Sequence, residues 1–408
     1  MNYDEVIALR KAFNSVKEKQ AKNQPKDFEE RKKRLKLSRE LCVGNEELLA
    51  KAIDNLKKNG MKVYIAKEKQ EAIDIILAEI GDEKLVVKSK SNVTKELELT
   101  KSLEKKGLTV VETDIGDRIL QLLDAHPSHP TGPVAHLSAK EIAKRLSAHY
   151  SQPIKENPEE IVRIVREDVI SNIKNARIGI TGANAITAEE GSIVITHNEG
   201  NIYEVMRKEK HIVVTSIDKL YPDIEAAMSM IKILSFNATG SLIPSFVEVI
   251  SGVSKTADVE KKFIKGVHSP SEITVILVDN GRRGLVNNGF KELLYCIGCG
   301  NCLLHCPMYN TIGNGYAIDN YLGGKGIAYY SLCNNEKNEK LELCLSCSKC
   351  RENCPLGLHI PELIRKIRSS GIHSDVYYFL KSHIIWIYYL LLLESKALER
   401  CFSGFSNR

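Results

Sequence analysis

The chain has 408 residues, of which 43% are hydrophobic and 27% are charged, a composition typical of a soluble protein with two to three domains. Its 58 Lys and Arg residues outnumber its 52 Asp and Glu residues by only six, a bias that argues against a nucleic-acid partner. No run of about 18 apolar residues is present and the N-terminus lacks the apolar core of a signal peptide, so we expect a cytoplasmic chain without a transmembrane segment. In that compartment its eleven cysteines are not expected to form structural disulfides.

Residues 1–58 are predicted to form a helical N-terminal arm. They are rich in Lys, Glu and Arg and contain few apolar positions. The basic run at 31–34 directly follows Glu29 and Glu30, so we interpret it as a solvated helix face and not as a nucleic-acid site.

Residues 59–289 alternate short β-branched runs with amphipathic stretches. The predicted strands are Lys62–Ile65, Leu85–Val87, Thr109–Val111, Ile178–Ile180, Ser192–Thr196, Ile212–Thr215, Val247–Ile250 and Thr274–Val278. The predicted helices include Lys69–Ile80, Lys95–Lys106, Ala139–Ala148, Glu159–Asn175 and Ile224–Leu234. Strands that alternate with helices indicate an α/β fold with a mostly parallel sheet.

Polar residues follow two of these strands, where α/β sheets usually bind ligands. Lys88 and Lys90, in the sequence Lys-Ser-Lys-Ser, are candidates for holding a substrate carboxylate, and capping of the next helix by Ser91 is the alternative. Glu199, in the sequence Asn-Glu-Gly-Asn that follows another strand, is a candidate general base, although turn chemistry alone would explain that cluster.

A proline-rich loop carries three histidines, His126, His129 and His136. Imidazoles bind metals and accept protons near neutral pH, so His129 is a second candidate base. Structural or solvent-facing histidines are the alternative interpretation.

Eight of the eleven cysteines fall in two runs within residues 290–370, each with the spacing C-x2-C-x2-C-x3-C-P. This spacing is typical of ferredoxins with two [4Fe–4S] clusters, in which the fourth cysteine of each run binds the other cluster. It predicts one cluster on Cys296, Cys299, Cys302 and Cys354 and a second on Cys344, Cys347, Cys350 and Cys306. Two four-cysteine zinc sites are the alternative, but structural zinc usually takes two separated C-x2-C pairs.

Residues 371–408 are predicted to contain a C-terminal apolar helix. The ten apolar residues Ile384–Leu393 are too few to span a bilayer. Three alternatives remain open for them: peripheral contact with a membrane interface, docking on a partner, and packing on the chain's own core.

These features together resemble the lactate-utilisation iron–sulfur protein B family, whose α/β portion is the LUD domain. The resemblance rests on the two cysteine runs and on the segments Val87–Thr94, Val110–Asp114, Pro127–His129, Gly179–Asn184, Asn198–Asn201 and Val278–Arg282. It implies an α/β domain similar to sugar-isomerase and CoA-transferase folds, and a role in oxidising lactate to pyruvate with other subunits. The sequence departs from the family's pattern at Gly298, where Arg is usual, at His197, where a hydroxyl residue is usual, and at Gly313-Asn-Gly315, which lacks a histidine.

The leading functional hypothesis is therefore an iron–sulfur electron-transfer subunit of a lactate or other 2-hydroxy acid oxidation system, an oxidoreductase component of the L-lactate dehydrogenase type. Lys88 and Lys90 would hold the carboxylate, and His129 or Glu199 would accept the hydroxyl proton. One alternative is a ferredoxin-like adaptor for another oxidoreductase, with the LUD domain as a docking module. Another is acyl or CoA transfer on Glu190 or Glu199, a chemistry that needs no redox cluster.

Overall fold

The structure is a computed structural model that describes residues 1–336 and 338–369 together with the single positions 383, 384, 387 and 391. The C-terminal apolar helix predicted over 371–408 therefore lies almost wholly outside the described residues. Within the described part of the chain, no helix combines the length and the apolarity needed to cross a bilayer.

Seventeen α-helices occur among the described residues. In chain order they are α1 Tyr3–Lys22, α2 Phe28–Cys42, α3 Glu46–Lys58, α4 Lys69–Ile80, α5 Asn92–Glu96, α6 Leu99–Glu104, α7 Ile115–Leu122, α8 Ala139–Tyr150, α9 Pro158–Asn175, α10 Asn201–Met206, α11 Ile224–Thr239, α12 Arg282–Asn287, α13 Asn301–His305, α14 Pro307–Ile312, α15 Gly323–Cys333, α16 Lys349–Glu352 and α17 Ile360–Ser369. Short 3₁₀ turns at Ile217–Lys219, Lys291–Tyr295, Gly313–Tyr316 and Glu339–Leu343 connect several of them.

Fourteen strands accompany these helices in the same described ranges. They are β1 Lys62–Ala66, β2 Leu85–Lys88, β3 Thr109–Glu112, β4 Ile178–Thr181, β5 Ala185–Thr187, β6 Ser192–His197, β7 Lys210–Ser216, β8 Leu220–Tyr221, β9 Phe246–Ile250, β10 Lys255–Thr256, β11 Ile264–Lys265, β12 Glu272–Val278, β13 Ala317–Ile318 and β14 Tyr321–Leu322.

The main sheet has six strands in the order β1-β12-β7-β4-β2-β3, and every neighbouring pair is parallel. Its central strands are apolar on both faces because helices cover both sides; in β12, for example, every residue after Glu272 is buried. Since all six strands run the same way, their carboxyl ends meet at one edge of the sheet. The α/β fold with a mostly parallel sheet is thereby confirmed.

A second sheet of four strands, in the order β8-β5-β6-β9, is mainly antiparallel. Two of the strands predicted from the sequence, Ser192–Thr196 and Val247–Ile250, lie here and not in the parallel sheet. Alternation of β-branched residues indicates a strand but does not say which sheet it joins, because pairing depends on the intervening chain.

The helix predicted over Lys95–Lys106 is divided into α5 and α6. Glu98 lies between them with a left-handed backbone, φ 48°. Leu97 and Leu99 are both fully buried, although residues two apart on a continuous helix would face different sides. The break at Glu98 lets both side chains enter the same core, which also contains Val93 and Leu103.

The N-terminal helices pack into the protein and do not extend into solvent. Leu9 and Phe13 of α1 and Leu35 of α2 are buried in one cluster with α11 and with the cysteine-rich segment, which we define as residues 290–369. The side chain of Arg10 donates to the Asn310 carbonyl oxygen at 2.5 Å. Helix α1 therefore contacts a segment that lies 300 residues away in sequence.

Arg282, at the start of α12, connects segments that follow strands of the parallel sheet with α15 of the cysteine-rich segment. It is 5% exposed, and its guanidinium pairs with both oxygens of Glu96, at 2.7 and 2.9 Å, and with Asp218 Oδ1 at 2.6 Å. Tyr329 of α15 lies beneath the guanidinium, 5.4 Å from ring centroid to Cζ. Burial of these charges is offset because each has an opposite charge and further hydrogen bonds.

Candidate functional site

The two cysteine runs form loops of the same backbone shape. In the first, Gly298 and Gly300 have left-handed backbones, each with φ 75°. In the second, Ser346 and Ser348 stand at the equivalent positions, with φ of 53° and 60°. Each loop thus turns twice between its three closely spaced cysteines.

The first set of thiols contains cysteines from both runs. Burial raises the pKa of the Cys299 thiol well above its usual range, and repulsion from Cys354 and Cys296 raises it further. The pKa of Cys302 is raised by burial and then by Cys296, Cys299, Cys350 and Cys354. Cys354 belongs to the second run, so the chain brings it back beside the first loop.

The second set of thiols also contains cysteines from both runs. Burial raises the pKa of Cys306 to about 12, with further increases from Cys344 and Cys347. Cys350 is affected in the same direction by burial and then by those three residues. Cys306 is in addition the N-cap of α14, where its sulfur accepts the Tyr309 backbone N–H at 3.5 Å.

Both sets of thiols are chemically suited to bind iron–sulfur clusters. Thiols that raise one another's pKa inside a low-dielectric core are costly to ionise, and bound metal ions remove that cost by replacing the protons. A small cavity of about 40 Å³ lies between Cys302, Cys306, Cys344, Cys347 and Cys350 and is otherwise lined mainly by apolar residues. In the described ranges, no three His, Cys, Asp or Glu side chains converge tightly enough to share a single metal ion; the four sulfurs of a zinc site would lie less than about 4 Å apart.

A second candidate site lies at the carboxyl edge of the parallel sheet. The last residues of β2 and β3, Lys88 and Glu112, are register partners, and two residues further on Lys90 and Asp114 repeat the pairing. The inner pair is buried, with Lys88 1% exposed and its Nζ 2.9 Å from Glu112. In the outer pair, Lys90 donates to Asp114 at 2.5 Å and lines a cavity of about 270 Å³.

Glu199 lies at the mouth of this cavity. Its Oε2 accepts the Ile115 N–H at 3.1 Å, at the N-terminus of α7. Although the residue is exposed, the surrounding protein and the nearby carboxylate of Asp114 raise the pKa of Glu199 to about 7. A carboxylate with such a pKa can accept and release a proton near neutral pH.

The cavity that contains Lys90 and Glu199 extends to the first cysteine loop. Its wall includes Ile297 and Gly298 of that loop as well as Lys219, which follows β7. Lys219 donates to the Cys296 carbonyl oxygen at 3.4 Å and also lines a neighbouring cavity of about 180 Å³ that Cys296 and Cys302 border. The sheet edge and the first cysteine loop therefore border the same cavity, the one of about 270 Å³.

The structure separates the four substrate candidates named from the sequence. Lys90 and Glu199 line the same cavity, whereas Lys88 is held in its buried pair with Glu112. His129 lies on the other side, against the first cysteine loop, where a Cβ on Gly300 would overlap its Nε2. Burial lowers the pKa of His129 to about 4, and the backbone of Gly300 opposes that shift.

The other two histidines of that loop do not join His129 in a metal site. His126 is exposed, and the Nδ1 atom of His136 is 2.9 Å from the Ser128 hydroxyl.

Sequence reasoning missed Lys219 and gave His197 no role. His197 is 8% exposed, stacks on Phe246 at 4.9 Å and lines the same cavity as Lys90. For Lys219 a signal was available, because a charged residue just after a buried strand lies at the ligand-binding edge of a parallel sheet.

Comparisons with known proteins find two domain families in this chain. The LUD domain family matches residues 49–278, and the 4Fe-4S dicluster domain family matches residues 292–358. "Lactate utilization protein B" of Lysinibacillus sphaericus (strain C3-41) is 32% identical over 329 residues, which are 79% of this chain and 67% of that protein. The protein of the same name from Bacillus subtilis (strain 168) is 32% identical over 335 residues, 80% of this chain and 68% of that protein. This chain thus spans about two thirds of the length of these relatives.

Among solved structures, a DUF162 family protein from Deinococcus radiodurans is similar to 57% of this chain and 97% of its own, with 14% identity and a TM-score of 0.32.

Proposed function

This chain belongs to the lactate utilization protein B family of LUD domain proteins, and we propose that it is an iron–sulfur electron-transfer subunit of a system that oxidises lactate or a similar 2-hydroxy acid. The observation that carries the proposal is the cavity in which Lys90 and Glu199 of the sheet edge face Gly298 of the first cysteine loop. A substrate held there would lie next to the predicted entry point for electrons.

Two [4Fe–4S] clusters, when bound, supply two one-electron carriers for the two electrons that leave a 2-hydroxy acid as it becomes a 2-oxo acid. The proposed ligands are Cys296, Cys299, Cys302 and Cys354 for one cluster and Cys344, Cys347, Cys350 and Cys306 for the other. The interactions of Cys354 with Cys299, and of Cys306 with Cys344, support this crossed arrangement.

The chain's own residues supply binding and proton transfer. Lys90 is the proposed carboxylate ligand, since its side chain lines the cavity while its ammonium group donates to Asp114 and to the Thr131 carbonyl. Glu199 is the proposed acceptor of the hydroxyl proton because its pKa is raised to about 7. Lys88 is instead proposed to stabilise the sheet edge through its ion pair with Glu112.

Other subunits are part of this proposal. The electrons must continue to a redox partner protein, and a partner would also complete the two-electron step at the substrate carbon. The adaptor alternative makes a different prediction, since a docking module would hold clusters without binding a 2-hydroxy acid.

The test is anaerobic purification of the native chain with its co-purifying partners, followed by iron analysis and lactate-dependent dye reduction. We expect about eight irons per chain and dye reduction that is lost in C299A and strongly reduced in K90M. The matched control is K105M, which removes an exposed lysine of the same domain. Full iron content with no lactate binding by calorimetry would favour the adaptor, and zinc in place of iron would refute the cluster assignment.

A further inference from the structure

The imidazole of His129 is held in one tautomer by its own loop. Its Nδ1 atom accepts the backbone N–H groups of Thr131 and Gly132, both at 3.3 Å, and lies 3.0 Å from the Thr131 hydroxyl. A backbone N–H can only donate, so Nδ1 carries a lone pair and the ring proton is on Nε2.

That Nε2–H is buried and makes no hydrogen bond of acceptable geometry in the part of the chain that the structure describes, although the Gly300 backbone lies close enough to oppose the lowering of the His129 pKa. His129 is only 4% exposed, and its Nε2 faces Gly300 of the first cysteine loop. Together with Cys296 and Cys302 the residue lines the cavity of about 180 Å³. Buried donors in folded proteins nearly always have an acceptor, so this one points to a group that enters the cavity.

We propose that His129 donates its Nε2–H hydrogen bond to a sulfur of the cluster that the Cys296–Cys302 loop holds, and so raises that cluster's reduction potential. The inference rests on the proposed function, because it requires the cluster to be bound. Reduction adds negative charge to the cluster sulfurs, and a hydrogen-bond donor stabilises the more negative state. His129 is thus a residue of the LUD domain that acts directly on the cluster of the neighbouring domain.

Two structural features hold the donor in place. Phe13 of α1 packs edge-on against the imidazole, with ring centroids 5.6 Å apart. Gly300 has no side chain, and any Cβ there would occupy the space of Nε2. The second cysteine loop has Ser348 at the equivalent position, so the close approach is built for the first loop.

The primary test compares the midpoint potentials of both clusters in the full-length chain by redox titration with electron paramagnetic resonance. H129F keeps an aromatic ring without a donor, H129Q keeps a side-chain N–H, and H136F is the matched control for disturbing the same loop. We expect H129F to lower the potential of one cluster only, H129Q to restore it at least partly, and H136F to leave both potentials unchanged. Equal potentials in wild type and H129F, or the same shift in H136F, would overturn the inference.

A measurement on the wild-type chain keeps the inference testable if H129F does not fold. With ¹⁵N-labelled histidine, the reduced first cluster should show hyperfine coupling to an imidazole nitrogen, and the coupling should vanish in H129Q. Its absence in wild type would mean that Nε2–H is satisfied by the Gly300 backbone and would overturn the inference while leaving the proposed function intact. A chain that binds no clusters would instead refute the proposed function itself.

Discussion

Gly300 and Ser348 stand at the same position of the two cysteine loops and share a left-handed backbone, with φ of 75° and 60°. Their surroundings differ, because only Gly300 lies against the imidazole of His129. A glycine at this position could serve either to adopt the left-handed backbone or to leave space for a neighbouring side chain. Ser348 adopts the same backbone, so the turn itself does not require glycine. The reason for glycine at position 300 is therefore the space that His129 occupies.

The first prediction exchanges these two residues. G300S should lose the first cluster, and so about four irons per chain, because the new Cβ would displace His129 or the loop. S348G should keep both clusters and change the free energy of unfolding by less than about 1 kcal/mol, since relief of left-handed strain is offset by greater freedom of the unfolded chain. Iron and sulfide analysis of anaerobically purified variants measures the difference; full iron content in G300S would contradict the steric argument.

The second prediction concerns the buried guanidinium of Arg282. R282M should lower the free energy of unfolding by about 3–5 kcal/mol, because Glu96 would lose its buried cation and Asp218 would keep only the longer pair with Arg39, at 3.7 Å. Chemical denaturation followed by circular dichroism measures the loss. R177M is the matched control, since Arg177 also pairs with two carboxylates, Glu83 and Glu209, but its side chain is 59% exposed; its removal should lower the free energy of unfolding much less. Similar losses in both variants would show that burial is not the deciding factor.

The third prediction is a pH dependence set by Glu199. Its pKa is raised to about 7, so the carboxylate form that accepts a proton is depleted as the pH falls through that value. The kcat/KM for 2-hydroxy acid oxidation should therefore rise with pH toward a plateau, with a midpoint no higher than about 7 because water at the cavity mouth screens part of the shift.

The matched pair for this test is E199Q and E204Q, which remove an exposed glutamate at the cavity mouth and one on nearby α10. E199Q should lower kcat/KM by about 10²–10⁴ and abolish the rise with pH. E204Q should preserve the wild-type profile. An unchanged profile in E199Q would exclude Glu199 as the base.

The fourth prediction tests the crossed ligand sets. C354A and C299A should remove the same paramagnetic signal, whereas C306A should remove the signal that C347A also removes. If each run held its own cluster instead, C306A would act like C299A. Electron paramagnetic resonance of the four reduced variants distinguishes the two arrangements.

Much of the fold could be predicted because its signals are local. The strands Leu85–Val87 and Ile178–Ile180 are short β-branched runs, and each is extended by only one residue in the structure. The helix Lys69–Ile80 has the predicted bounds. The short strands β5 and β8 were missed because two or three residues carry no periodicity, and they are stabilised by pairing in the second sheet.

The candidate site likewise combines features that local sequence patterns predict with features that only the folded chain reveals. The cysteine spacing is local, and it was sufficient to predict an iron–sulfur protein. Lys88 and Lys90 were equivalent in the sequence, yet Lys88 is a strand residue in a buried pair and Lys90 lies beyond the strand, where its side chain reaches the cavity. Only the register of β2 with β3 distinguishes them, and register depends on residues far apart in the chain. His129 meets the cysteine loop for the same non-local reason.

Helix α1 has a consequence for biosynthesis. Phe13 stacks on Tyr309, with ring centroids 6.3 Å apart, and emerges from the ribosome almost 300 residues earlier. The buried face of α1 therefore lacks this contact until Tyr309 has been translated, and the native contact can form only afterwards. The contact of α1 with the cysteine-rich segment is accordingly a late event in assembly.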